Sequence, residues 1–182
     1  MPRRRARPAP TAEYSVWLLP EAAIEPMLTE TIARLSVLLG GPCFAPHLTV
    51  QGDIALPLEN LREPVQRWAE SCPPLRWTGA QVECSALFFR SLYLRFDASA
   101  TFNTLQAFAH SSTKTSRGLS PFPHLSLAYG ESQAGNIGLC TVLADEFVGR
   151  EIVFDQLAIV RASKTVPIPQ WECLARFPLA SS

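Results

Sequence analysis

The feature that most constrains this chain is a pattern that occurs twice. Residues 44–50 read Phe-Ala-Pro-His-Leu-Thr-Val, and residues 122–127 read Phe-Pro-His-Leu-Ser-Leu. Both contain Pro-His-Leu-(Thr/Ser)-apolar within a run of strand character. The histidines, His47 and His124, stand 77 positions apart and are two of three in the 182-residue chain. One such pattern in each half predicts two related lobes. In a strand, side chains alternate with period 2. His47 and Thr49 therefore share one face, and Leu48 and Val50 the other. The same alternation sets His124 and Ser126 against Leu125 and Leu127.

The flanking segments supply the elements such lobes need. Residues 14–19, Tyr-Ser-Val-Trp-Leu-Leu, are aromatic, β-branched and apolar, and they predict a buried strand stopped by Pro20. Ile24, Leu28, Ile32, Leu35 and Leu39 form a helical stripe over 21–39, with Pro26 in its first turns and Gly40-Gly41 at its stop. A strand at 46–52 and a helix at 58–71, with Leu61, Val65 and Trp68 on one face, follow. Strands at 75–85 and 87–97 join through a tight turn at Ser85-Ala86. A helix at 99–112, a polar loop at 111–120, a strand at 123–129 and a helix at 136–147 come next. Strands at 150–163 and 170–177 flank a turn marked by Pro167 and Pro169. The order β-α-β-α-β-β-α-β-α-β-β is that of an α+β or α/β fold, a sheet covered by helices.

Two imidazoles and two hydroxyls converge if the two strands lie side by side or face each other across a groove. That set suits in-line displacement at phosphorus. One neutral imidazole takes a proton from water, one imidazolium gives a proton to the leaving oxygen, and the hydroxyls bond the non-bridging oxygens. Histidine, with a reference pKa of about 6.5, supplies both protonation states near neutral pH. A lone strand histidine is ordinarily a half-buried residue bonded to a local carbonyl. Its recurrence in matching segments points to a shared role. A zinc site on the same histidines lacks a third ligand, and hydroxyls are poor zinc ligands. Five dispersed cysteines (Cys43, Cys72, Cys84, Cys140, Cys173), with no Cys-x-x-Cys pair, predict free buried thiols in a reducing cytoplasm.

These residues resemble the paired His-x-(Thr/Ser)-x signatures of the 2H phosphoesterases, in particular the plant and yeast type of cyclic nucleotide phosphodiesterase. The resemblance runs from Tyr14 to about Phe177. It includes Tyr14-Ser15-Val16-Trp17, the run Gly41-Pro42-Cys43-Phe44-Ala45-Pro46-His47, the second motif extended to Tyr129, Leu157-Ala158-Ile159 and Trp171-Glu172. It implies an α+β bilobal fold, two pseudo-symmetric lobes each with an antiparallel sheet covered by helices, and a central groove. It further implies metal-independent hydrolysis of small cyclic phosphates: nucleoside 2′,3′-cyclic phosphates to 2′-phosphates, ADP-ribose 1″,2″-cyclic phosphate to the 1″-phosphate, or both. No cofactor is implied. His47 and His124 match the family's catalytic pair, Thr49 and Ser126 its phosphate-binding hydroxyls, Tyr129 a cleft tyrosine, and Trp17 a wall on the nucleoside side. The resemblance favours His124 as base and His47 as acid, whereas the symmetry of the two motifs leaves that order open. Tyr129, five residues after His124, falls on the wrong face by simple alternation, so a bulge or the strand end at Gly130 must redirect it. Tyr14 and Trp171 read as core, and His110 as surface. Lys114 and Arg117, in the polar loop, read as loose anion attractors.

Charge narrows the substrate. The chain has 16 basic and 16 acidic residues, but Arg3, Arg4, Arg5 and Arg7 all lie in the first ten. The remainder has 12 basic against 16 acidic residues, a body of about −4. Residues 1–12 read as a disordered basic leader, 13–178 as one two-lobed domain and 179–182 as a tail. An acidic body argues against a track for long nucleic acid. An RNA-end phosphodiesterase or 2′-5′ ligase-like enzyme, and a nucleotide-binding module without turnover, are the competing readings. No run is long and apolar enough to span a membrane. The expectation is a cytoplasmic monomer acting on a small molecule.

Overall fold

The elements follow the order read from the sequence: β1 (Tyr14–Pro20), α1 (Glu25–Leu39), β2 (Leu48–Ile54), α2 (Leu58–Ser71), β3 (Leu75–Cys84), β4 (Leu92–Phe96), α3 (Ala100–Thr113), β5 (His124–Ala128), α4 (Ile137–Phe147), β6 (Glu151–Arg161) and β7 (Glu172–Pro178). They come from a computed structural model that describes residues 13–97, 100–131, 133 and 136–180. The basic leader lies outside the described residues. α1 starts with Pro26 in its first turn and stops at Gly40, whose left-handed backbone (φ 66°) lets its N–H reach the Ser36 carbonyl. The second strand starts later than the pattern predicts, so that His47 stands one residue before it.

The two sheet halves are continuous. All pairings are antiparallel, in the order β1-β2-β5-β4-β3-β6-β7, and a further β1–β6 pairing closes a ring. β6 is the hinge of this arrangement. Along one edge it carries β1; along the other, its first half carries β3 and its second half β7. The shortest pairing in the ring is that of β2 with β5, which meet at Leu48 and Leu125.

One face of this curled sheet is apolar. Leu18, Leu48, Val50, Leu125, Leu127, Phe154 and Leu157 are buried there against Leu28 and Leu35 of α1, Val65 and Trp68 of α2, Phe102 and Leu105 of α3, and Leu143 and Phe147 of α4. Each such side chain contributes about 1.5–3 kcal/mol relative to exposure. The apolar half of each His motif is thus what docks the strand. Leu179 also belongs to this core, and the Ala180 N–H bonds the carbonyls of Ala69 and Cys72. The packed body therefore runs past residue 178, into what the sequence assigns to the tail.

Two departures shape the opposite face. Residues 87–91 do not extend β4; Phe88–Arg90 form a 3₁₀ turn. Ser85 causes this. Its N–H bonds the Ser91 carbonyl, its hydroxyl donates to the Arg90 carbonyl, and the Leu87 N–H donates to that hydroxyl. The loop after α3 is also pinned. Buried Gln51 donates from Nε2 to the carbonyls of Thr115 (3.1 Å) and Arg117 (2.8 Å), and Thr113 donates to its Oε1. Gly118 (φ 75°) lies so close to the Gly52 carbonyl that a side chain there would collide with it.

Candidate active site

Register brings the two motifs together. Leu48 faces Leu125 across an antiparallel pair. Continued by one residue each way, this register sets His47 opposite Ser126 and Thr49 opposite His124. Both imidazoles and both hydroxyls therefore lie on the polar face, diagonally paired. β1 adds Trp17, opposite Thr49, and β4 adds Tyr93, opposite Ser126. His47, Thr49, His124, Ser126 and Trp17, together with the 88–90 turn and the 118–121 loop, line a cavity of about 500 Å³.

The motifs share a mounting device. His47 Nδ1 lies 2.7 Å from the Ala45 carbonyl, and His124 Nδ1 lies 3.0 Å from that of Phe122. Each acceptor is two residues upstream, across a proline. Proline holds the preceding residue extended, which turns its carbonyl toward the ring. A carbonyl can only accept, so Nδ1 carries the proton and Nε2 is left as the reactive atom in both. Pro46 and Pro123 are the sequence signal of this device.

The surroundings differ. His47 is 4 % exposed and stacks on Trp17 with ring centroids 3.5 Å apart and planes at 10°. Phe44 and Trp171 meet it edge-on. The Tyr129 hydroxyl donates to its Nε2 at 3.3 Å. Tyr129 lies just past the end of β5 and stacks on Phe44 (3.7 Å, 16°). The strand end is what redirects it. His124 is half-buried and opens to the cleft. Tyr93 and Phe122 meet it at 5.5 and 5.2 Å, and the Ser120 hydroxyl lies 3.3 Å from its Nδ1.

Burial holds both imidazoles well below the usual 6.5, at about 4. For His47 the Ala45 carbonyl works in the opposite direction, and the charge of His124 adds to the lowering. For His124 the Phe122 carbonyl opposes burial, and Arg90 and Arg95 reinforce it. In the ligand-free cleft both rings are neutral at pH 7. Burial also raises the Tyr129 phenol, which stays a protonated donor.

The cleft contains all six expected residues: His47, His124, Thr49, Ser126, Tyr129 and Trp17. One face of the Trp17 indole is taken up by His47. Trp171, expected in the core, is half-buried, lines the cleft and stacks on Phe89. Tyr14 packs against the main core as expected. Lys114 and Arg117 are exposed and do not line the cleft; Gly118–Pro121 of the same loop do. Sequence reading missed Phe88, Phe89 and Arg90 because the apolar, β-forming run Leu87-Phe88-Phe89 mimics a strand. The adjacent aromatics, which break alternation, are the signal that was there. The cysteines also depart from expectation. Cys72 alone is buried, Cys43 and Cys173 are exposed, and the Cys84 and Cys140 sulfurs lie 2.8 Å apart. Among the described residues no three His, Cys, Asp or Glu side chains gather to hold a metal ion. No described helix is long and apolar enough to cross a membrane.

Known proteins are similar to this chain in sequence or in fold. A cyclic phosphodiesterase from Arabidopsis thaliana is 25% identical over 118 residues, a match spanning 65% of this chain and 65% of that protein. The fold is that of Escherichia coli LigT, with a TM-score of 0.61 and 16% identity over 94% of this chain and 99% of LigT. TT0787 of Thermus thermophilus gives a TM-score of 0.61 and 16% identity over 92% of this chain and 97% of its own. LigT has also been crystallised with phosphate and with 3′-AMP. No family model matches the chain.

Proposed function

We propose that this chain, a relative of the plant cyclic phosphodiesterase with the LigT fold, hydrolyses small cyclic phosphates by paired-histidine acid–base catalysis. The observation that carries the reading is the mirror mounting of His47 and His124. Both present Nε2 to one cleft, each with a hydroxyl two residues further on. The preferred substrates are nucleoside 2′,3′-cyclic phosphates and ADP-ribose 1″,2″-cyclic phosphate. LigT's crystallisation with phosphate and 3′-AMP supports a ligand of this size and charge.

The steps follow from the environments. An anionic phosphate raises the affinity of a nearby imidazole for protons. Substrate therefore enters with one proton, which His47 holds. Thr49 donates to a non-bridging oxygen, and Ser126 does so by turning its hydroxyl from the Phe89 carbonyl to the phosphate. His124, the more open ring, takes a proton from water through Nε2 as the water oxygen bonds to phosphorus. The bond to the 3′-oxygen breaks, and His47 Nε2–H gives that oxygen its proton. The product is a 2′-phosphomonoester, with the proton left on His124. No step requires a metal ion.

The test is product analysis by phosphorus NMR with chelator present. The panel is 2′,3′-cyclic mononucleotides, ADP-ribose cyclic phosphate and an oligonucleotide ending in a cyclic phosphate. Metal-free turnover of the small substrates to 2′- or 1″-phosphates is expected. Preference for the oligonucleotide, with steep salt dependence, would overturn the small-substrate reading in favour of an RNA-end enzyme. Binding without turnover of any panel member would overturn the hydrolytic reading.

A further inference from the structure

We propose that Arg90 is the anion anchor of this cleft: its guanidinium binds the phosphate of the substrate from the His124 side. The inference rests on the phosphodiesterase reading above and names the group that supplies its fixed positive charge.

Besides the histidines, the charged side chains lining the cleft among the described residues are Asp53, Arg90 and Lys164. Lys164 is compensated. Its Nζ lies 3.6 Å from Asp53 Oδ2, and its N–H donates to Oδ1 of the same carboxylate. Arg90 makes no ion pair among the described residues, and its buried Nε has no hydrogen-bond partner. Two rings hold it instead. Its Cζ lies 5.6 Å from the Tyr93 centroid and 4.8 Å from that of Phe122.

The contrast with Arg95 sharpens this. Arg95 also lies over Phe122, at 4.2 Å, but it pairs with Glu83 Oε1 at 3.5 Å. The other oxygen of Glu83 accepts from the Tyr93 hydroxyl at 2.6 Å. Both carboxylate oxygens are engaged, and neither serves Arg90. A guanidinium held by aromatic rings rather than by a carboxylate keeps its N–H groups for an oxyanion. The backbone is tied to the site as well, since the Phe89 carbonyl, next to Arg90, accepts from the Ser126 hydroxyl at 3.2 Å.

Placement also orders the proton. Facing His124 are Arg90 from the 88–90 turn, Arg95 and Tyr93 from β4, Glu83 from β3, Ser120 from the preceding loop and His47 from the other motif. Arg95 and Glu83 offset each other, and Tyr93 and Ser120 are neutral. Arg90 remains as the net charge, disfavouring an imidazolium at His124. In the ligand-free cleft this charge favours His47 over His124 as the site of an added proton.

The experiment titrates the full-length protein with inorganic phosphate, following arginine side-chain and histidine ring NMR signals, and then repeats the titration with Arg90→Gln and Arg90→Lys. Phosphate should shift the Arg90 signals with the same midpoint as those of His124. R90Q should weaken phosphate by about 10- to 100-fold, with part of the loss restored in R90K. In cyclic-phosphate turnover R90Q should raise KM more than it lowers kcat. The acid limb of kcat/KM should move to higher pH, because His124 regains affinity for protons; a purely structural role would not move it. Arg90 signals unmoved by phosphate in the wild-type protein overturn the proposal even if the variants do not fold. So does phosphate affinity in R90Q within about twofold of wild type. Phosphate binding through Arg90 with no turnover of any cyclic phosphate would keep the anchor and overturn the hydrolytic reading.

Discussion

His47 and His124 each follow a proline, and each gives its Nδ1 proton to the carbonyl two residues back. Yet one lies under an indole and the other beside guanidinium groups. Local sequence fixes the first property, because a proline and a period-2 strand are short-range devices. Tertiary packing fixes the second. Trp17 reaches His47 from β1, whereas Arg90 reaches His124 from the β3–β4 connection. The duplicated motif thus mounts two like imidazoles, and the unlike connections around it give them different surroundings.

The largest effect that tests this comparison is loss of either ring. His47→Ala and His124→Ala should each reduce kcat by about 10²–10⁴-fold with the fold retained, checked by turnover and thermal melts. Full activity in either folded variant would break the pairing. Next come the hydroxyls. Thr49→Ala and Ser126→Ala should each lower kcat/KM by about 10- to 100-fold, since each removes one bond to a charged oxygen. Unequal losses would show that one lobe holds the phosphate more firmly.

A smaller effect should separate the two sides. Trp17→Leu opens the His47 box to water, so the pKa of His47 should climb from about 4 toward 6.5 while that of His124 stays in place. Ser120→Ala should disturb His124 alone. Histidine NMR reads both, and turnover should change only a few-fold, on the order of 1 kcal/mol. The smallest kinetic but most general consequence concerns pH. Both rings titrate near 4 when folded and near 6.5 when unfolded. Between those values the unfolded chain binds more protons, so stability falls as pH drops from about 6.5 to 4 and is full above 6.5. The melting temperature of the ligand-free protein should follow this course, less steeply in His47→Asn.

Much of this was legible in the sequence. The alternation of Leu48 and Val50 with His47 and Thr49, and its echo around His124, marked the polar face on which the four side chains meet. The four helices α1 to α4 were placed within a few residues, the first three by their apolar stripes. What escaped was set by contacts distant in sequence. The cleft position of Trp171 depends on the β6–β7 connection folding back over Trp17, with its indole N–H donating to the Val166 carbonyl at 2.9 Å. The 88–90 turn was hidden because Leu87, Phe88 and Phe89 are good strand formers. The hydrogen bonds of Ser85 override that preference. Arg90 could not be singled out by composition, since its role depends on Glu83 being engaged elsewhere.

The central claim is that two neutral, like-mounted imidazoles become an acid and a base when a phosphate anion enters. Histidine ring NMR near pH 6, with and without saturating inorganic phosphate, tests this most directly. The account predicts two neutral rings in the free protein, and with phosphate one imidazolium, at His47, and one neutral ring, at His124. Two rings that stay neutral with phosphate bound, or a ring already charged in its absence, would contradict it.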